Sequence, residues 1–351
     1  MLCLLPSAAS GFEFRGFSDI TYTATKNKQD LAGGGNSAFA LGQFDLYVSQ
    51  SLSDRVDILS ELVVEANEVG EFGVDLERLQ VGYIFSDEMR VWTGRFHNLL
   101  GYWNTAFHHG AQLQTTIERP QFLKFEDDGG ILPVHVVGLW ATGRFPTSVA
   151  TLEYGIMAGN GAKIIDVDPA SFSGGALDPN SVSDNNNSKA FSFRLRAVPS
   201  AIDGLGVGIS GNFSKVQFFD SSGTLTAING EEEVRQVILG ADLEYLANNI
   251  QFLTEFYQIS DKDSKTFQNH AWYVQGGYKI ADRYTPYIRF EHVEVNENDP
   301  YFTALGTSDF DKTVVGIRFD IIPISSLKAE VRFVDGIGDH QEYAIQWAFG
   351  F

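Results

Sequence analysis

The 351 residues carry 45 acidic against 25 basic side chains, a formal charge of −20, which excludes a nucleic-acid partner because neutralising phosphates requires an excess of Lys and Arg. Twenty-eight Phe, 13 Tyr and 35 Gly beside 3 Met and 10 Pro favour strands over helices. Cys3 is the only cysteine, which leaves the rest of the chain without a thiol for a disulfide, a metal centre or a nucleophile.

Taken from the start, Met1 to Ala9 form a short apolar run with small residues, Ser7 and Ala9, before a cleavage point. This resembles the back half of a secretory signal, so residues 1–9 are expected to be a signal remnant and residues 10–351 a single domain. No later stretch reaches the roughly 18 consecutive apolar residues that a membrane-crossing helix needs. Instead, amphipathic segments of about ten residues with period 2 recur along the chain, the pattern of strands with one greasy and one wet face. Ile58, Leu62 and Val64 alternate with Asp57, Glu61 and Glu65; Phe191, Phe193 and Leu195 with Ser192, Arg194 and Arg196; Val237, Leu239, Ala241 and Leu243 with Gly240, Asp242 and Glu244. The scheme continues through Val315–Ile321 and Leu327–Phe333 to Tyr343, Ile345, Trp347, Phe349 and Phe351.

The segments predict an all-β chain: a transmembrane antiparallel β-barrel of about sixteen strands, with short periplasmic turns and long external loops in strict alternation. Short connections are expected near 51–54, 86–88, 146–148, 199–204, 247–249, 281–283 and 323–326. Longer ones fall near 27–36, 68–73, 101–133, 160–188, 220–233, 261–268, 296–310 and 335–340. Trp92, Trp272, Tyr278, Tyr284 and Trp347 are expected to face outward in interfacial girdles. The connection from Gly101 to Pro133 mixes aromatics, amides, histidines and charges, unlike a solvated loop. It is expected to fold inward and narrow the lumen, with Phe107, His108, His109, Gln112, Gln114, Glu118 and Arg119 at the constriction.

Inward positions under this register supply a near-neutral wall. Its basic members include Arg95, Arg194, Arg196, Arg289, Arg318, Lys328 and Arg332; among its acidic members, Asp45, Asp57, Glu61 and Glu65 cluster on the second and third strands. The opposed clusters predict a transverse field and weak selectivity. Adjacent His108 and His109 point opposite ways on extended backbone, so neither a metal nor a cofactor is expected.

Gly94-Arg95-Phe96, the long loop that follows, and the terminus Trp347-Ala348-Phe349-Gly350-Phe351 resemble bacterial porins of the outer membrane, most closely the phosphate-selective porin O and P family. The resemblance in strand and loop layout covers nearly the whole chain. It implies a homotrimer in the bacterial outer membrane, in contact with lipid and lipopolysaccharide, that passes ions and small hydrophilic solutes by diffusion. It also implies a lumenal arginine ladder, for which Arg194, Arg196, Arg289, Arg318 and Arg332 are available and which would favour phosphate or other anions. The interleaved Asp and Glu depart from that pattern. A sugar-specific channel, with Tyr102, Trp103 and Phe107 as an aromatic track, and a docking barrel are the alternatives. An enzyme is not expected: outward His292 has no outward serine beside it.

Overall fold

The computed structural model describes residues 13–27, 37–66, 72–107, 110–168, 170–171, 173–179, 188–336 and 338–351. The expected signal segment and the His108–His109 pair therefore lie outside the described residues.

Strands β1 (Glu13–Asn27), β2 (Ser37–Ser53), β3 (Val56–Ala66), β4 (Phe72–Ser86), β5 (Met89–His97), β6 (His135–Pro146) and β7 (Ala150–Asn160) run antiparallel, each beside the next. A small excursion, β8 (Lys163–Ile165) paired with β9 (Ala176–Asp178), interrupts the series. It resumes with β10 (Lys189–Pro199), β11 (Leu205–Gln217), β12 (Glu233–Ala247), β13 (Ile250–Lys262), β14 (Thr266–Tyr278), β15 (Tyr284–Glu294), β16 (Phe310–Ile322), β17 (Ser325–Asp335) and β18 (His340–Gly350). β18 pairs with β1, and the sheet closes into a sixteen-stranded barrel without edges. Two short helices, α1 (Trp103–Ala106) and α2 (Pro300–Leu305), lie in long connections.

Period-2 patterning accounts for the closed sheet. On β18, Tyr343, Ile345 and Trp347 are exposed outward while Ala344, Gln346 and Ala348 are buried inward. The same phase leaves Phe191, Leu195, Leu239, Phe256, Ile288, Val315 and Leu327 exposed. A greasy outer face around a closed cylinder is stable in hydrocarbon and not in water. One rim carries tight turns, such as Asn248-Asn249 with φ of 55° and 64°, a left-handed geometry that asparagine tolerates. The other rim carries the long connections, including 98–134, 161–188, 218–232 and 295–309. The expected link at 261–268 shrinks to three residues, 263–265, because β13 runs on to Lys262 and β14 already starts at Thr266, the two remaining paired to their ends.

Two irregularities shape the wall near β4 and β5. The β3–β4 register shifts between Glu61, opposite Arg78, and Leu62, opposite Leu76, so Glu77 is an extra, bulged residue. Gly94 adopts φ +131°, and a Cβ there would lie 2.0 Å from the Leu79 carbonyl, so glycine is required.

The interior is not uniformly wet. Trp103, Phe122, Leu123 and Ile131 from the 98–134 connection, with Tyr301 and Phe302 of α2, pack on inward Ile238, Leu253, Tyr257, Ile259, Tyr273 and Val293. Burying each such large side chain contributes about 1.5–3 kcal/mol, enough in sum to make this a true core. One side of the barrel, β11 to β16, is thus plugged and dry along part of its height.

Candidate pore

The 98–134 connection enters the barrel, as its composition led one to expect, and its placement follows from charge. Strand carboxylates accept loop amides: Trp103 N donates to Glu255 Oε1 at 2.6 Å, Ile117 N to Glu330 Oε1 at 2.6 Å and Gln121 N to Glu291 Oε2 at 2.6 Å. Strand cations meet loop carbonyls. Lys328 Nζ donates to Ala111 O at 2.6 Å and Thr116 O at 2.9 Å, and Arg318 to Gln114 O. Arg289 donates to Thr116 Oγ1 at 2.8 Å, Glu118 O at 2.9 Å and Arg119 O at 3.3 Å. Arg332 Nη1 lies 2.6 Å from Glu118 Oε1 and 3.1 Å from Glu342 Oε2, with its Nε 2.9 Å from Glu330 Oε2. Charge-assisted bonds of this kind are the strong ones, more so where water is excluded.

The far end of the loop is tied by Glu126. Its carboxylate accepts from His135 N at 2.8 Å and meets His135 Nδ1 at 3.1 Å, while His135 Nε2 lies 2.6 Å from Glu77. Both ring nitrogens are therefore engaged by carboxylates rather than available to a metal. Burial raises the Glu126 carboxyl, but His135 and the backbone amides outweigh it and hold it below its ordinary range. Partial burial likewise opposes ionisation of Glu118, yet Arg332 and Lys312 keep it well below that range. Desolvation pushes the Arg119 guanidinium down to about 10, and it sits over the Phe125 ring at 4.2 Å.

This clamp decides where the expected pore residues stand. Arg289, Lys328 and Arg332 face inward but are buried under the loop, whereas Arg318, bonded to the Gln114 carbonyl, still edges a cavity. Arg194 pairs bidentately with Asp242 at 2.6 and 2.7 Å, and Arg196 binds Glu153 at 2.7 Å and also Glu244. Arg95 grips the bulged Glu77, by its carbonyl at 3.0 Å and its carboxylate at 3.7 Å. On the opposite wall Asp45 is fully buried, Glu61 pairs with Arg78, Glu65 accepts from Gln43 at 3.0 Å and Asp57 from Ser51 Oγ at 2.6 Å. In the loop Gln112, Gln114 and Arg119 are buried against the wall. Phe107 packs on Trp103 at 5.1 Å and Tyr102 at 5.8 Å, and Glu118 is partly open. Trp103 is fully buried, so no aromatic track runs along this loop.

Open space remains beside the loop rather than through its middle. A cavity of about 560 Å³ lies between the loop edge at Leu99 and Thr105 and the wall formed by Tyr47, Gln80, Trp92 and Trp140. A second, of about 300 Å³, shares Leu99, Thr105 and Trp140 and reaches Arg194 and Arg196. A third, of about 280 Å³, lies by Leu113, Lys279 and Arg318 near the short-turn rim. Trp92 corrects the outward assignment: it lines the lumen over Gly82 and stacks on Trp140 at 6.3 Å and 25°. Tyr278, Tyr284 and Trp347 are exposed outward as expected. The sequence reading also missed Glu77, which only the bulge turns inward, and Trp140, the continuation of the lumenal stack.

No protein-family model matches the chain, and no curated protein matches it in sequence. Solved structures do match over nearly the full length. An in-vitro folded OmpT of Vibrio cholerae, described as a trimer form, aligns with a TM-score of 0.60 at 14% identity, covering 97% of this chain and 99% of that one. An anion-selective porin from Comamonas acidovorans gives 0.64 at 10%, covering 97% and 99%. The outer membrane channel DcaP of Acinetobacter baumannii gives 0.62 at 8%, covering 99% of both. The chain has the barrel fold of bacterial outer-membrane porins. At such identities the likeness carries the architecture and leaves the phosphate-selective resemblance where the sequence put it.

Proposed function

We propose that this chain is a bacterial outer-membrane porin, passing ions and small hydrophilic solutes by diffusion through an off-centre passage along β2 to β7. The observation that carries this reading is the cavity of about 560 Å³, lined by charged and amide side chains on one part and aromatic ones on another, that the inward loop leaves beside itself. The greasy outer face seats the barrel in lipid, with lipopolysaccharide around the long-loop rim, and a homotrimer follows the state described for the similar Vibrio protein. Phosphate preference would require cations open to water, whereas Arg289, Lys328 and Arg332 are buried in the loop clamp, which favours weak selectivity instead.

A catalytic role finds little support. His292 does meet Asp311 at 2.8 Å, but its partners across the ladder are Trp272 on one side and Asp311 on the other, and neither is a serine. Reconstitution into planar bilayers tests the proposal: stepwise potassium chloride conductance is expected, and a tight, non-conducting barrel would favour a docking role.

A further inference from the structure

We infer that the lumenal cavity beside the loop is a binding site for a neutral saccharide, with Trp92 and Trp140 as its platform and Gln80 as a polar anchor. The inference rests on reading the barrel as an open passage. The stacked indoles present a broad apolar face to the cavity, 6.3 Å between centroids, with Phe96 5.7 Å beyond Trp140. A ring's negative face attracts the positively polarised C–H edges that a pyranose presents on one side. The other lining supplies hydroxyl partners: Gln50, Ser49 and Asp57, and Gln80, whose buried Oε1 has no hydrogen-bond partner. A buried unpaired acceptor of this kind is costly unless a ligand or water donates to it.

Charge favours neither sign of bound ion. Arg78 on this wall is held by Glu61 and Glu13 by Arg15, which leaves Arg90 balanced by Asp57 among the charged lining residues, so the cavity offers no uncompensated field to hold an anion or a cation. Its volume, about 560 Å³, falls in the range of small-molecule sites and accommodates a mono- or disaccharide. The aromatic platform thus lies on the strands rather than on the loop at Tyr102, Trp103 and Phe107, where the sugar-specific alternative would have placed it.

Titrating the detergent-purified barrel with maltose while following tryptophan fluorescence tests this, with the acyclic polyol sorbitol as control. A saturable change with maltose and none with sorbitol is expected. Trp92→Ala should weaken the half-saturating concentration about tenfold, as loss of an aromatic anchor does; Trp92→Phe should retain most binding and Gln80→Leu should lose part of it. The absence of a saturable maltose response, an equal response to sorbitol, or Trp92→Ala and Gln80→Leu barrels both binding like wild type would overturn the site. Potassium chloride conductance of the same preparation reports the diffusion reading separately, so the two fail independently.

Discussion

Arg332 shows what the buried charges accomplish. Its guanidinium touches Glu118, Glu330 and Glu342 and is almost wholly buried. Arg332→Ala would strand Glu330 without its cation, and breaking a buried pair in this way costs about 3–5 kcal/mol. Urea unfolding in detergent is expected to shift to lower denaturant, with noisier and larger single-channel currents from a loosened loop; unchanged stability and currents would argue that the pair is spectator charge. Glu118 supplies the pH dependence. Its folded pKa is depressed, so its contribution is present above the ordinary carboxylate range and is lost only as pH falls through the lower folded value. Conductance is therefore expected to stay flat from about pH 7 to about pH 5, the usual carboxylate values lying near 4, and to rise in more acid solution as the clamp releases. A rise already beginning near neutrality would contradict this assignment.

The 98–134 connection is the element on which function turns. That it folds inward was legible in its mixture of Trp103, Phe107, Phe122 and Phe125 with charges, since such surface is rarely left in water. Where it attaches was not legible: Glu330, the partner of Ile117, and Arg332, a partner of Glu118, lie 213 and 214 residues away in sequence, and no local pattern encodes that pairing. Inward Ile238, Leu253, Ile259 and Tyr273 carried the one signal available. Strands greasy on both faces must be covered on both, by lipid outside and by something else within. Deleting residues 104–117 is expected to remove most of the clamp and part of the core, raising single-channel conductance; an unchanged value would mean that this segment does not limit the passage.

For the barrel as a unit, strand number, closure and the segregation of short and long connections were readable because a period of two is local and repeats sixteen times. Facing failed only where the ladder itself is irregular, at the Glu77 bulge and beside Gly94, which is why Trp92 turned up on the lumenal side. The charge asymmetry read from sequence exists, but loop docking neutralises its basic half. Selectivity should consequently be slight despite the chain's −20 charge, most of which lies outside the passage. Reversal potentials across a tenfold potassium chloride gradient are expected near zero; an anion preference of about tenfold, worth 1.4 kcal/mol, would mean that the arginines are open to the pore after all.

The wall holds its plug largely by main-chain atoms: the carbonyls of Ala111, Gln114, Thr116, Glu118 and Arg119 and the amides of Trp103, Ile117 and Gln121. Main-chain atoms are the same whatever the side chain. Apart from Glu118, Glu126 and the packed Trp103, Phe122, Leu123 and Ile131, the tether thus imposes little spelling on the segment it restrains, while fixing the identity of each barrel residue that does the restraining. Mutational tolerance should be lopsided, generous at Leu113 and Thr105 and poor at Arg289, Lys328 and Glu330, so that the bore can be retuned without rebuilding the cylinder around it.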